Sequence, residues 1–378
     1  MAGPDFPHAE YENRLETMQT AMHEAGLDAL FFTCEAEMRY FTGFRTQFWQ
    51  SPTRPWFLIL RRSGMPVAII PEIGAELMRS AFVGEIRTWA SPHPDDDGRT
   101  LLADALRPHA RIGMMMGRET ALRMPLADFE GLRADLAGSE FIDATAMVQR
   151  QRMVKSGAEI ALIGEICSIA SKSFGAAPEL FREGQTLSEA FRAFKIELLK
   201  NGAEHVPYLV GGAGQGGYGD VISPPGEDRL EAGDVLMLDT GATLRGYFCD
   251  FDRNFAIGHA SPDAVRAHDT LWRATEAALA AARPGSTCRD LFEVMAAIVG
   301  DNGGDVGRYG HGIGMQLTEP PSLVGFDDTV LQPGMVITLE PGIRIGPGKI
   351  MVQEENIVIR DGEPELLTRR APRDLPVI

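Results

Sequence analysis

The 378-residue chain is poor in cysteine, in basic charge and in long apolar runs, and each scarcity closes off a class of function. Its four cysteines, Cys34, Cys167, Cys249 and Cys288, are scattered without a CxxC pair. That pattern excludes a zinc-finger cluster and a disulfide framework, and makes a reducing, cytoplasmic compartment the expectation. Lys and Arg number 36 against 53 Asp and Glu, a net charge of −17. Phosphate backbones demand a basic footprint, so no nucleic-acid partner is expected. No apolar run approaches the ~20 residues that span a bilayer. Met1-Ala2-Gly3-Pro4-Asp5 has neither the basic start nor the apolar stretch of a secretory signal, so no membrane association is expected.

What is present is the composition of an ordinary globular protein, 44% hydrophobic and 24% charged, with room for two domains. Residues 1–150 alternate between helical and strand-like patterns, which implies an α/β domain. Tyr11, Leu15, Met18 and Met22 mark one face of a helix ending at Gly26. Strand-like runs follow at 29–32, 56–60, 67–70, 111–116 and 141–143, with the methionines at 114–116 expected to pack in a core. The basic stretch "QRQRMVKSGAE" (149–159) reads as a link into a second domain, 151–378, whose first helix Ser156 and Glu159 would start as a capping box. That domain contains a repeat. "REGQTLSEAF" (182–191) and "RPGSTCRDLF" (283–292) share R-x-G-x-T-x-x-[E/D]-x-F, 101 residues apart. In each, Thr186 or Thr287 is placed to cap the next helix with Glu189 or Asp290 in support. A duplicated α+β unit of this kind would put a site at its seam.

Strand-borne acids carry the chemistry. "DTGATLRGYFCD" (239–250) follows an apolar run and has Asp239 and Asp250 at its ends. "GRYGHGIG" sets His311 among glycines, "VITLEPGIRI" ends a strand at Glu340, and "IMVQEENIVI" puts Glu354 in another apolar run. A lone DxG or EPG is turn chemistry in most sequences, and a lone histidine is most often structural. Four acids converging from buried strands are different. At about 4 Å and an effective dielectric of about 20, each pair repels by roughly 4 kcal/mol, so they need cations or protons. Four carboxylates and one imidazole suit Mn²⁺, Co²⁺, Fe²⁺ or Zn²⁺, and two ions share the set more naturally than one. "GAGQGG" (212–217) satisfies the dinucleotide pattern GxGxxG, but a proline-rich stretch follows it where a helix would be needed, so it reads as a flexible loop.

The ordered set of two aspartates, GHGIG, LEPG and EENIVI resembles the creatinase/Xaa-Pro peptidase family of "pita-bread" metallohydrolases, which includes prolidase, aminopeptidase P and methionine aminopeptidase. "GLDALFFTCEAEMRYFTGF" (26–44) is similar to that family's amino-terminal domain, "RMVKSGAEI" (152–160) to its catalytic entry, and the repeat to its pseudo-twofold halves. The resemblance implies that Asp239, Asp250, His311, Glu340 and Glu354 bind two divalent ions, Mn²⁺ or Co²⁺ first, and that Glu340 also moves the proton in hydrolysis of a C–N bond. It implies a homodimer acting on a dipeptide or another small molecule. Two substrate-contacting histidines of the family are absent: Thr318 stands in one place, in "MQLTEPP", and no histidine lies in "GYGDVISPPGEDRLEAGD" before Asp239, where Tyr218 or Asp220 is the nearest polar substitute. His205 lies too far upstream. Arg344 replaces the tyrosine usual after EPGI, and with Arg54 in "SPTRPW" it offers a carboxylate clamp. The leading expectation is an Xaa-Pro dipeptidase- or aminopeptidase-like hydrolase with Glu340 and Thr318 as catalytic residues. The alternative is a non-peptide relative, creatinase-, ectoine hydrolase- or sulfonium lyase-like, acting on a small carboxylate-bearing solute. The intact five-residue set argues against a mere binding module on the same fold.

Overall fold

The apolar runs of the first half pair into one six-stranded mixed sheet, in the order Glu85–Trp89, Val67–Pro71, Phe57–Arg61, Ala29–Phe32, Arg111–Met114, Glu140–Asp143. The central strands are buried along almost their whole length, which is why they read as unbroken apolar runs. The helix His8–Glu24 buries Tyr11, Leu15, Met18 and Met22, and the chain leaves it through Gly26 at φ 68°. Glu85–Trp89 gave no sequence signal because it is an edge strand, half-buried throughout, with Arg87 paired to Glu85 at 2.7 Å. The methionine run behaves as core only in part. Met114 is buried at the strand end, while Met116 is 52% exposed.

This computed structural model describes residues 5–51, 54–300, 303 and 307–378. The chain divides into two units, Met1–Gln151 and Arg152–Ile378. The basic stretch at 149–159 is not an uncompacted link. Its first half lies in the helix Thr145–Met153, and Arg152 and Lys155 are each only 5% exposed. The Ser156/Glu159 capping box is formed and opens the helix Gly157–Gly175.

The second unit is built twice. One half has helices Gly157–Gly175 and Leu187–Asn201 against a sheet in which Asp234–Leu244 lies between His205–Gln215 and Phe251–Ala256. The other has helices Pro262–Ala281 and Cys288–Val299, with Val336–Leu339 lying between His311–Gly312 and Glu355–Val358. Both Thr186 and Thr287 form complete capping boxes. The backbone repeats the sequence spacing: Gly184 donates to Leu230 and Gly285 to Leu331, Leu187 to Asp228 and Cys288 to Thr329, Ser188 to Gly226 and Arg289 to Asp327. Every member of these pairs is 101 residues beyond its counterpart. Chance likeness of helix caps would not reproduce the partners of those caps as well. This is the α+β pita-bread fold with pseudo-twofold duplication, beside an α/β amino-terminal unit.

The glycine-rich stretch at 212–217 is mostly strand, a correction to its reading as a flexible loop. Gly212 to Gln215 pair in register with Met237 to Asp234, and no helix follows. Gly211, at φ 138°, shows why glycine is needed: an added Cβ would lie 2.2 Å from the Met237 carbonyl oxygen.

Candidate metal centre

The four acids come from corresponding places in the two halves, and His311 has no counterpart. Asp239 lies within Asp234–Leu244, and Glu340 directly follows Val336–Leu339, 101 residues on. Asp250 directly precedes Phe251–Ala256, and Glu354 directly precedes Glu355–Val358. Asp250 and Glu354 are buried, at 4% and 3% exposure, whereas Asp239 and Glu340 are partly accessible. The set therefore has a closed floor and an open mouth. Donor atoms of Asp250, His311 and Glu354 all lie within 4.8 Å of one another. His311 Nε2 is 3.4 Å from Asp250 Oδ2 and 3.7 Å from Glu340 Oε1.

Neighbouring groups hold these side chains in place. His311 Nδ1 lies 2.9 Å from the Gly312 carbonyl oxygen, which accepts only, so the ring proton sits on Nδ1 and Nε2 keeps its lone pair. The His311 N–H donates to Thr338 Oγ1 at 3.0 Å. Asn356 clasps the Asp250 peptide from both sides, accepting from its N–H and donating to its carbonyl. Arg253 donates to the Glu354 carbonyl oxygen at 2.8 Å and pairs with Glu355 at 2.9 Å. Glu355, fully buried and also tied to Arg370, is thereby a structural acid, and alternation along the strand leaves Glu354 to the centre.

The electrostatics are those of a site awaiting cations. Burial pushes the Asp239 and Glu340 carboxyls up to about 7, and drives Asp250 and Glu354 well above the carboxylate range, with repulsion from the other acids adding to it for those two. Burial, then Arg308, lowers His311 to about 4. Asp239 Oδ1 and Glu354 Oε1 are buried without a hydrogen-bond partner. Orphaned carboxylate oxygens in a cluster with a neutral imidazole nitrogen are what a hard divalent cation satisfies, so the donor set fits.

Arg308 and Tyr208 belong to the site and carried no motif. Arg308 Nε is 3.5 Å from Glu340 Oε1, and its Nη2 donates to Thr318 Oγ1 at 3.4 Å, which brings Thr318 to the rim. Tyr208 is half-buried; burial and then the neighbouring Asp239 push its phenol up. Asp252, opposite Asp239 across the strand pair, is a further buried acid. The remaining candidates stand as follows. Tyr218 is 1% exposed and its hydroxyl is used within the core, accepting from Val352 N–H and donating to Asn254, so it has no free group for a substrate. Asp220 closes its own turn by accepting from Ile222 and Ser223 N–H. Arg344 is exposed on Gly342–Gly346. Arg54, in the first unit, lies over the Phe48 ring at 5.2 Å and its carbonyl accepts from Arg123; Pro52 and Thr53 beside it fall outside the described residues.

A duplicated α+β frame with four carboxylates and a histidine at its seam defines a metallohydrolase. The chain belongs to metallopeptidase family M24, whose model matches residues 161–361, and the creatinase/prolidase N-terminal domain model matches residues 14–154. Membership implies divalent metal ions, and this centre is the candidate site for them. The chain is 30% identical to the Xaa-Pro dipeptidase of Pyrococcus furiosus over 94% of this chain and 97% of that one. It is 28% identical to the probable dipeptidase PepE of Mycobacterium tuberculosis over 100% and 99%. The crystal structure of dipeptidase PepE from Mycobacterium ulcerans shares its fold, with a TM-score of 0.85 at 27% identity over 98% and 99% of the two chains.

Proposed function

We propose that the centre hydrolyses the Xaa-Pro bond of small dipeptides, with Asp239, Asp250, His311, Glu340 and Glu354 holding two divalent ions, Mn²⁺ or Co²⁺ first. The observation that carries this is the pairing of acids at equivalent places in both halves, one acid of each pair with an orphaned buried oxygen, on a chain alike over almost its full length to an Xaa-Pro dipeptidase. Such ions, when bound, polarise a carbonyl and make water a better nucleophile at neutral pH. The protein's own groups do the rest. Asp250 and Glu354 form the buried floor, and Asn356 and His311 Nδ1 fix the donors in place. Glu340, at the mouth, is the acid able to take a proton from water and return it to the leaving nitrogen. Arg308, held by Glu340 and Thr318, presents a cation to a substrate carboxylate there.

Thr318 supports a second reading, in which a non-peptide solute bearing a carboxylate takes the dipeptide's place. A hydroxyl donates a hydrogen bond but is neither a cation nor a general acid. The deciding experiment assays metal-loaded protein on Xaa-Pro dipeptides, longer Xaa-Pro peptides, creatine, ectoine and sulfonium solutes. Dipeptide turnover in the ordinary enzyme range of about 1–10³ s⁻¹ supports the first reading. Faster turnover of a solute replaces it with the second.

We also propose a cytoplasmic homodimer in which Arg54 reaches the partner's centre. The aromatic stack beneath Arg54 and the Arg123 clamp on its carbonyl support a fixed rather than a loose loop.

A further inference from the structure

A second cavity, of about 180 Å³, lies within the catalytic unit, and none of the five proposed metal ligands lines it. Phe174, Phe255 and Pro372 form apolar walls. Two buried side chains of its lining have unmatched polar atoms. Gln353 is 1% exposed, yet neither atom of its side-chain amide has a hydrogen bond. His268 is 2% exposed; its Nε2 lies 2.9 Å from the Pro372 carbonyl oxygen and so holds the proton, leaving Nδ1 as an acceptor with nothing to accept. Arg369, an exposed residue of the lining, is tied by its backbone to Ser171 and Arg253, and its guanidinium has no partner among the described residues. The other two arginines of the lining, Arg253 and Arg370, are both engaged by Glu355, and its one acid, the buried Asp252, accepts from the Asn254 amide.

Each buried polar group left unmatched costs about 1–3 kcal/mol, and the volume is several times the ~30 Å³ share of one water. A ligand that satisfies the amide and the imidazole, covers the rings and neutralises one guanidinium must be small, largely apolar and singly anionic. We propose that this cavity is a second ligand site, specific for small carboxylates with an apolar body, with Arg369 gripping the carboxylate. Gln353 directly precedes Glu354, and Arg253 of the same lining donates to the Glu354 carbonyl oxygen. Occupancy therefore reaches a ligand of the metal centre through one peptide unit, which makes the site a modulator of turnover. Binding rests on the cavity alone, while its effect on turnover rests also on Glu354 as a ligand of the proposed metal centre.

Calorimetry on the full-length, metal-loaded protein tests it, with 4-methylpentanoate and phenylacetate as probes and their primary amides as neutral counterparts. The acids should bind, and the amides should bind at least about tenfold more weakly. Arg369→Gln should weaken the acids about tenfold or more while leaving metal content unchanged. Gly175→Leu should abolish binding by filling the mouth: an added Cβ there meets only Arg369 Nη1, at 3.5 Å. Saturating acid should change kcat in the wild type and leave Gly175→Leu unaffected. Equal acid affinity in wild type and both variants would place binding at the metal centre and overturn the proposal. No binding of either acid up to about 10 mM would overturn it too, leaving the cavity to water.

Discussion

Asp250 and Glu354 hold the same station in the two halves of the catalytic unit: each is the last residue before a strand that flanks its half's central strand, and each is buried beside His311. Asp239 and Glu340 form the matching pair at the mouth. The duplication thus supplies two acids per half, and the single histidine breaks the symmetry.

That arrangement ties metal content to the floor. Asp250→Asn and Glu354→Gln should each remove at least one of about two ions per chain and lower kcat by roughly two orders of magnitude or more. Elemental analysis after loading and desalting checks the first and steady-state assay the second. Full metal content in both variants would show that these oxygens are not ligands.

The acids also set a pH dependence of stability. In the absence of metal, Asp239 and Glu340 titrate at about 7, against 3.8 and 4.5 as ordinary carboxyls. The folded state then holds protons that the unfolded chain has released. The stabilisation is full below pH about 4 and is lost as pH rises through about 7. With chelator, Tm should fall across that window; metal-loaded protein should show the opposite slope, because the ions take the place of the protons. Thermal scans at a series of pH values decide it, and a chelated protein that gains stability toward pH 8 contradicts the assignment.

The rim is tested by Thr318. Thr318→His should raise Xaa-Pro turnover, and Arg308→Ala should raise KM about tenfold for free dipeptides but not for their C-terminal amides. Unchanged kinetics in both variants would leave the rim without a role in substrate handling.

Arg54→Ala should raise KM about tenfold or more for anionic substrates, through loss of a charge-assisted bond worth roughly 1.5–3 kcal/mol, with metal content unchanged. Light scattering should give a dimer. A monomer with unaltered KM would make Arg54 a surface charge.

A purely structural prediction concerns Glu319. Burial raises its carboxyl, but Arg152 at 2.5 Å and Lys155 at 3.2 Å outweigh that and hold it down at about 2. Glu319→Gln leaves two buried cations without a countercharge and should cost about 3–5 kcal/mol. Denaturant titration at constant metal loading measures it.

The sequence by itself determined the elements whose signal is local. Unbroken apolar runs marked the buried central strands, Thr186 and Thr287 announced their helix starts, and four acids on or beside apolar strands pointed to the candidate metal centre, because a buried carboxylate demands a partner wherever it lies. Only the tertiary structure decided what depends on residues distant in the chain. Whether Arg152 and Lys155 were linker charges or the countercharge of Glu319 turned on a contact across more than 160 residues. Arg308 and Tyr208 entered the centre from positions without motif, and Tyr218 left the candidate list because Val352 and Asn254 had already used its hydroxyl. Glu354 and Glu355 are chemically alike and adjacent; the pleat of one strand sends the first to Asp250 and His311 and gives the second to Arg253.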